Sequence, residues 1–130
     1  MEKKEKNISK KRILIVDDEE DILRLLSDFL TEKGFIVDTA SDGKEALKQV
    51  ASRKPDLITL DEVMPVMDGF EFLKALRSKK AYSAIPVIML TFRSKDKDLE
   101  TGISLGADFY LPKPFSFENL MDFIKLVLEK

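Results

Sequence analysis

The sequence predicts an α/β fold: a doubly wound, five-stranded parallel sheet alternating with helices, (βα)5. Three observations predict it. Short apolar, β-branched runs recur five times along the chain. Each is followed by a segment whose apolar residues return every three or four positions, the period of a helix face. Gly, Pro and Asp punctuate the borders between them. With 130 residues, 44% of them hydrophobic and 35% charged, the chain has the size of one domain with one core.

Taken in order, Ile13–Val16 is the first strand and ends in acids. From Asp21 the chain turns helical, with Ile22, Leu25, Leu26, Phe29 and Leu30 on one face, and Gly34 stops it in the position favoured for a left-handed cap. Phe35–Ala40 is a strand, Asp42-Gly43 a turn, and Lys44–Ser52 a helix with Ala46, Leu47, Val50 and Ala51 inward. Pro55-Asp56 introduces the strand Leu57–Leu60. A Met-Pro-Val-Met-Asp-Gly loop precedes the helix Phe70–Arg77, which carries Phe70, Leu73 and Leu76 on one side. Pro86 opens the strand Val87–Leu90. A polar stretch leads to a fourth, weak helix around Leu99–Leu105, weakened by Gly102 and ended by Gly106. Asp108–Leu111 is the fifth strand. A fifth helix runs from about Phe117, with Leu120, Phe123, Ile124, Val127 and Leu128 at helical spacing. Crossovers between parallel strands are right-handed.

Composition excludes whole classes of chemistry. There are no cysteines and no histidines. Disulfides, thiolate or imidazole metal ligands and imidazole general bases are therefore ruled out. Acid–base or nucleophilic work falls to Asp, Glu, Lys, Tyr, Ser or Thr. The net charge of −2 is not that of a nucleic-acid binder, so no direct nucleic-acid contact is expected. No apolar run reaches the roughly 20 residues of a membrane span, and the charged start lacks the apolar stretch of an export signal; the absence of that signal and of cysteine fits the cytoplasm. Residues 1–12 carry six basic and two acidic side chains, a net of +4 that leaves −6 elsewhere. Residues 1–11 read as a disordered basic tail and 12–130 as the domain.

In parallel sheets, ligands bind beyond the carboxyl ends of the strands, at the switch in strand order. The chemically notable residues lie at such ends. Strand one ends in Asp17-Asp18, followed by Glu19, Glu20 and Asp21. Taken alone, this run is the acidic start of a helix, with Asp18 as its cap. Strand three, however, runs into Asp61. If strands one and three are neighbours, Asp17, Asp18 and Asp61 converge, and three carboxylates so close do not all ionise without a cation. An all-oxygen site of this kind suits Mg²⁺, and without His or Cys zinc and copper are disfavoured. Thr91 closes strand four and Lys113 follows strand five. Their plain readings are a strand-end hydroxyl bonded to backbone and a surface lysine in a turn fixed by Pro112 and Pro114. The Lys113–Pro114 bond is a candidate cis peptide. Together the rim suits phosphoryl transfer to a carboxylate, with Asp61 as nucleophile.

Four ordered blocks carry a family resemblance: Ile-Leu-Ile-Val-Asp-Asp-Glu (13–19), Asp-Leu-Ile-Thr-Leu-Asp-Glu-Val-Met-Pro-Val-Met-Asp-Gly (56–69), Pro-Val-Ile-Met-Leu-Thr (86–91) and Gly-Ala-Asp-Phe-Tyr-Leu-Pro-Lys-Pro-Phe (106–115). In these the chain resembles the receiver domain of two-component response regulators, over about residues 12–128. The resemblance implies a flavodoxin-like strand order 2-1-3-4-5. It implies that Asp61 accepts a phosphoryl group from a sensor histidine kinase or phosphotransfer protein. It also implies that Asp18, Asp61 and the Val63 carbonyl hold Mg²⁺, with Asp17 acting largely through water. Thr91 and Lys113 match the phosphate-sensing pair. Tyr110 matches the aromatic switch that turns inward. The implied output surface is the fourth helix, fifth strand and fifth helix, binding a downstream protein. Such a chain is a signalling switch, a phosphoprotein that catalyses only its own phosphorylation and dephosphorylation.

Some positions depart from the family pattern. Phe92 stands where a small residue is usual, and either narrows access to Asp61 or rotates onto the surface. Arg93 and Val63 look out over the phosphoryl position. Phe109 is either strand packing or an apolar contact on the output face. The Arg-rich last helix of the winged-helix subfamily is missing, since Phe117–Lys130 has no arginine. Two other readings stay open: an unphosphorylated docking module and a Mg²⁺-dependent phosphatase. Against a flavodoxin, no Gly- or Ser/Thr-rich phosphate loop follows strand one.

Overall fold

The computed structural model describes residues 10–91, 103 and 105–129. Five strands form one parallel sheet: β1 (Arg12–Val16), β2 (Ile36–Ala40), β3 (Leu57–Asp61), β4 (Val87–Thr91) and β5 (Phe109–Pro112), in the order β2-β1-β3-β4-β5. The helices are α1 (Glu20–Glu32), α2 (Gly43–Ser52), α3 (Gly69–Ser78) and α4 (Phe117–Leu128), with a short 3₁₀ turn at Lys80–Tyr82. The helix expected around Leu99–Leu105 falls largely outside the described residues; Ile103 within it is helical and exposed. Among the described residues, no helix is long and apolar enough to cross a membrane.

The strands are continuous apolar runs because both faces of the sheet are covered. Alternation then divides each run between two cores. From β1, Leu14 and Val16 join Ile58, Leu60, Phe72, Leu73, Leu76 and Val50 on the α2–α3 side. Ile13 and Ile15 join Leu26, Leu30, Leu57, Ile88, Leu120 and Ile124 on the α1–α4 side. The register pairs Val16 with Leu60 and Asp61 with Leu90, so the ends of β1, β3 and β4 finish level.

Helix ends follow local chemistry. Asp42 caps α2 by accepting from the Glu45 N–H, and Ser116 caps α4 through the Asn119 N–H. Asp68 and Glu71 form a reciprocal capping box on α3. Gly34 adopts φ 100° just past α1, where a side chain would be strained. The cap of α1 differs from expectation: it is Glu19, without a side-chain hydrogen bond, and not Asp18.

Three core expectations are corrected. Leu25 is exposed, because Leu26 and Leu30 hold the line that points into the sheet. Ala51 is exposed at the end of α2. Phe72, absent from the expected face of α3, is fully buried, whereas Phe70 is only partly covered. At the start of the described chain, the Lys10 N–H donates to the Gly34 carbonyl and the Lys11 carbonyl accepts from Ile36.

Candidate functional site

The strand order reverses between β1 and β3, and the crevice at their carboxyl ends holds the acids. Asp17 directly follows β1, its N–H anchored to the Ala40 carbonyl at 3.1 Å. Its carboxylate is buried, and both of its oxygens accept hydrogen bonds. Oδ1 accepts the Glu19 N–H at 2.9 Å, and Oδ2 accepts from Lys113 Nζ at 2.8 Å. Asp61 is the last residue of β3, buried, with Oδ1 3.4 Å from the same ammonium. Lys113 comes just after β5; its backbone N–H donates to the Thr91 carbonyl at 2.7 Å, and the Lys113–Pro114 bond is cis. The plain reading of Lys113 as a surface residue is thus overturned: it is 8% exposed.

The electrostatics show more negative charge than one lysine offsets. Burial first, and then the neighbouring Asp17 carboxylate, push the Asp61 carboxyl up to about 7, against a smaller opposing pull from Lys113. For Lys113, burial disfavours the charge, but the hydrogen bond and attraction of Asp17, with help from Asp61, prevail and raise its pKa. A carboxyl so raised marks a place where a further positive charge is favoured. Carboxylate oxygens of Asp17, Asp18 and Asp61 all lie within 4.8 Å of one another, with Asp18 exposed to solvent. This donor set, all hard oxygen with an open side, fits Mg²⁺. Asp17 also bonds the Lys113 ammonium, so the one carboxylate borders both the cation and the acidic cluster.

The remaining expected residues are placed as follows. Thr91 ends β4 and is buried at the same rim. Val63 is half exposed in the loop after β3. Val66, further along that loop, takes φ 67°, an unusual conformation for a β-branched residue, and is exposed. Phe92 and Arg93 lie outside the described residues. Tyr110 on β5 is partly buried against the α2–α3 core, and its hydroxyl donates to Glu62 Oε1 at 2.7 Å. Glu62 was missed as a site residue. The signal was available: it follows Asp61 directly, and strand alternation sends its side chain to the opposite, apolar side.

Comparison with known protein families matches the response regulator receiver domain over residues 13–125. The chain belongs to this family. A receiver is a signalling switch. The receiver is 46% identical over 120 residues to the alkaline phosphatase synthesis transcriptional regulatory protein PhoP of Bacillus subtilis, covering 92% of this chain and 49% of that one. It is 42% identical over 123 residues to the transcriptional regulatory protein PrrA of Mycobacterium leprae, covering 95% of this chain and 52% of that one. The receiver thus spans about half the length of these relatives. Among solved structures, the chemotaxis protein CheY4 of Vibrio cholerae superposes with a TM-score of 0.88 at 38% identity, over 92% of this chain and 100% of that one. A two-component response regulator from Clostridium difficile also superposes at 0.88, with 31% identity over 93% and 98% of the two chains.

Proposed function

We propose that this receiver accepts a phosphoryl group on Asp61 from a phosphohistidine of a partner sensor kinase or phosphotransfer protein. The observation that supports this most directly is the buried Lys113 ammonium held between Asp17 and Asp61 at 2.8 and 3.4 Å. An Asp61 oxygen attacks phosphorus, the P–N bond breaks, and the imidazole leaves with its bonding electrons. Lys113 offsets charge on the phosphoryl oxygens, and the Thr91 hydroxyl donates to one of them. Water then attacks the phosphorus of the acyl phosphate, releasing inorganic phosphate, a proton and the free carboxylate. Asp18, Asp61 and the Val63 carbonyl are the ligands proposed for Mg²⁺, with Asp17 near it; the ion supplies charge neutralisation for the phosphoryl oxygens and favours ionised Asp61. Thr91 and Tyr110 act as the switch. Phe92 and Arg93 modulate access.

Phosphorylation then biases two conformations of the output surface formed by the fourth helix, β5 and α4, and a cytoplasmic protein partner reads the difference. For this chain the direct partner is a protein and not nucleic acid, on its net charge of −2 and its arginine-free last helix. The test is intact mass after incubation with acetyl phosphate and Mg²⁺. The parent gains one phosphoryl group and Asp61→Asn gains none. Gain of mass by both, or by neither even with Phe92→Ala, would overturn the assignment.

A further inference from the structure

Asp61 and Glu62 are consecutive but serve opposite sides of the sheet. The Asp61 carboxylate meets Lys113 at the rim. The Glu62 side chain turns to the α2–α3 side, is 2% exposed, and accepts the Tyr110 hydroxyl at 2.7 Å. Its backbone carbonyl also accepts the Gly69 N–H at 2.8 Å, at the start of α3. A carboxyl group this deeply buried requires hydrogen-bond partners, and the tyrosine hydroxyl supplies one at short range. The contact also crosses a strand. Tyr110 pairs in register with Met89 of β4, and Met89 pairs with Leu60 of β3, so β3 and β5 are not neighbours. The Glu62–Tyr110 bond therefore bridges over β4 without passing through its backbone.

We propose that Glu62 is a positioning residue that ties the Tyr110 hydroxyl to the peptide unit carrying Asp61. A change at the Asp61 carboxylate then reaches β5 through the Glu62–Tyr110 hydrogen bond. This rests on Asp61 being the reacting carboxylate. The two residues' Cα atoms are one peptide step apart, about 3.8 Å, so the backbone between them has little freedom to absorb a displacement. The next peptide, Glu62–Val63, is held by the Gly69 N–H through the Glu62 carbonyl, which makes Glu62 the junction of the reacting residue, α3 and β5.

The chain has two tyrosines and no tryptophan, so Tyr82→Phe leaves Tyr110 as the sole emitter. A carboxylate that accepts a phenol proton quenches tyrosine emission. In the Tyr82→Phe protein, Glu62→Leu should raise resting emission, whereas Glu62→Gln, whose amide oxygen still accepts the hydroxyl, should keep Tyr110 in place. Beryllofluoride with Mg²⁺ serves as the phosphoryl mimic, its binding followed by fluorine NMR. The mimic should change Tyr110 emission in the parent and in Glu62→Gln, and that response should be lost in Glu62→Leu although the mimic still binds. Unchanged resting emission in a folded Glu62→Leu protein, or an undiminished response, overturns the proposal. If Glu62→Leu does not fold, the carboxyl carbon resonance of Glu62 should shift on Tyr110→Phe; an unmoved resonance overturns the tie. Failure of the parent to bind beryllofluoride counts against Asp61 as acceptor, and the resting emission still decides the tie.

Discussion

Replacing Asp61 by Asn should stabilise the metal-free protein, and more so at high pH. Burial and Asp17 raise the Asp61 carboxyl from 3.8 to about 7 in the folded chain. Between those values the folded state holds a proton that the unfolded state has released. Stability therefore falls as pH rises from about 4 to about 7, and stays low above it. At ~1.4 kcal/mol for each tenfold change in proton affinity, the full cost is about 4 kcal/mol at pH 8 and about 1.6 kcal/mol at pH 5. Relaxation of Lys113 and water at the open side of the crevice reduce both figures, to about 2 and about 1 kcal/mol. Urea unfolding of the parent and Asp61→Asn at the two pH values, in chelator, measures the difference. The chain lacks histidine, so few other side chains titrate in this interval. Added Mg²⁺ should recover stability in the parent at pH 8 and do much less for Asp61→Asn. An Asn variant no more stable than the parent at pH 8, or one whose gain is the same at both pH values, would refute the electrostatic account of the site.

Two further outcomes follow from packing. A Cβ on Gly69 would press into the Asp61 backbone carbonyl oxygen and lie 2.9 Å from the Glu62 Cα, so Gly69→Ala should cost about 3 kcal/mol and lower acetyl phosphate labelling; a neutral result in thermal unfolding would show that α3 can back away. The Thr59 hydroxyl is buried without a hydrogen-bond partner, between Ile15 and Ile88 in the register, so Thr59→Val should stabilise by about 1 kcal/mol in urea unfolding, and a loss of stability would contradict it.

Much of this architecture was legible because period and punctuation are local. Five apolar runs with helical segments between them need only neighbouring residues to be recognised, and the observed strands match those runs to within a residue or so at each end. The rim was legible because parallel strands place their carboxyl ends together, so Asp17, Asp61, Thr91 and Lys113 could be brought to one edge without coordinates. What depends on three-dimensional packing was harder. Leu25 has the spacing of a core residue, but α1 presents Leu26 and Leu30 to the sheet instead. Asp18 has the chemistry of a cap, yet the Asp17 carboxylate takes the Glu19 N–H and the helix starts one residue later. The bond between Asp17 and the Lys113 ammonium needs the folded sheet to be seen. Glu62 is least legible of all, because its partner on β5 lies 48 positions away.

The two ion pairs of the crevice join residues 96 and 52 positions apart. No hairpin, single βαβ unit or partly synthesised chain can assemble them, since the lysine arrives only after the fifth strand. Long-range contacts of this kind carry the highest loop-closure cost and form with the whole sheet. A chain still emerging from the ribosome would carry its acids but not the ammonium that offsets them. On the proposed mechanism, competence to accept a phosphoryl group is therefore a readout of complete folding, and a copy truncated before Lys113 would not be labelled.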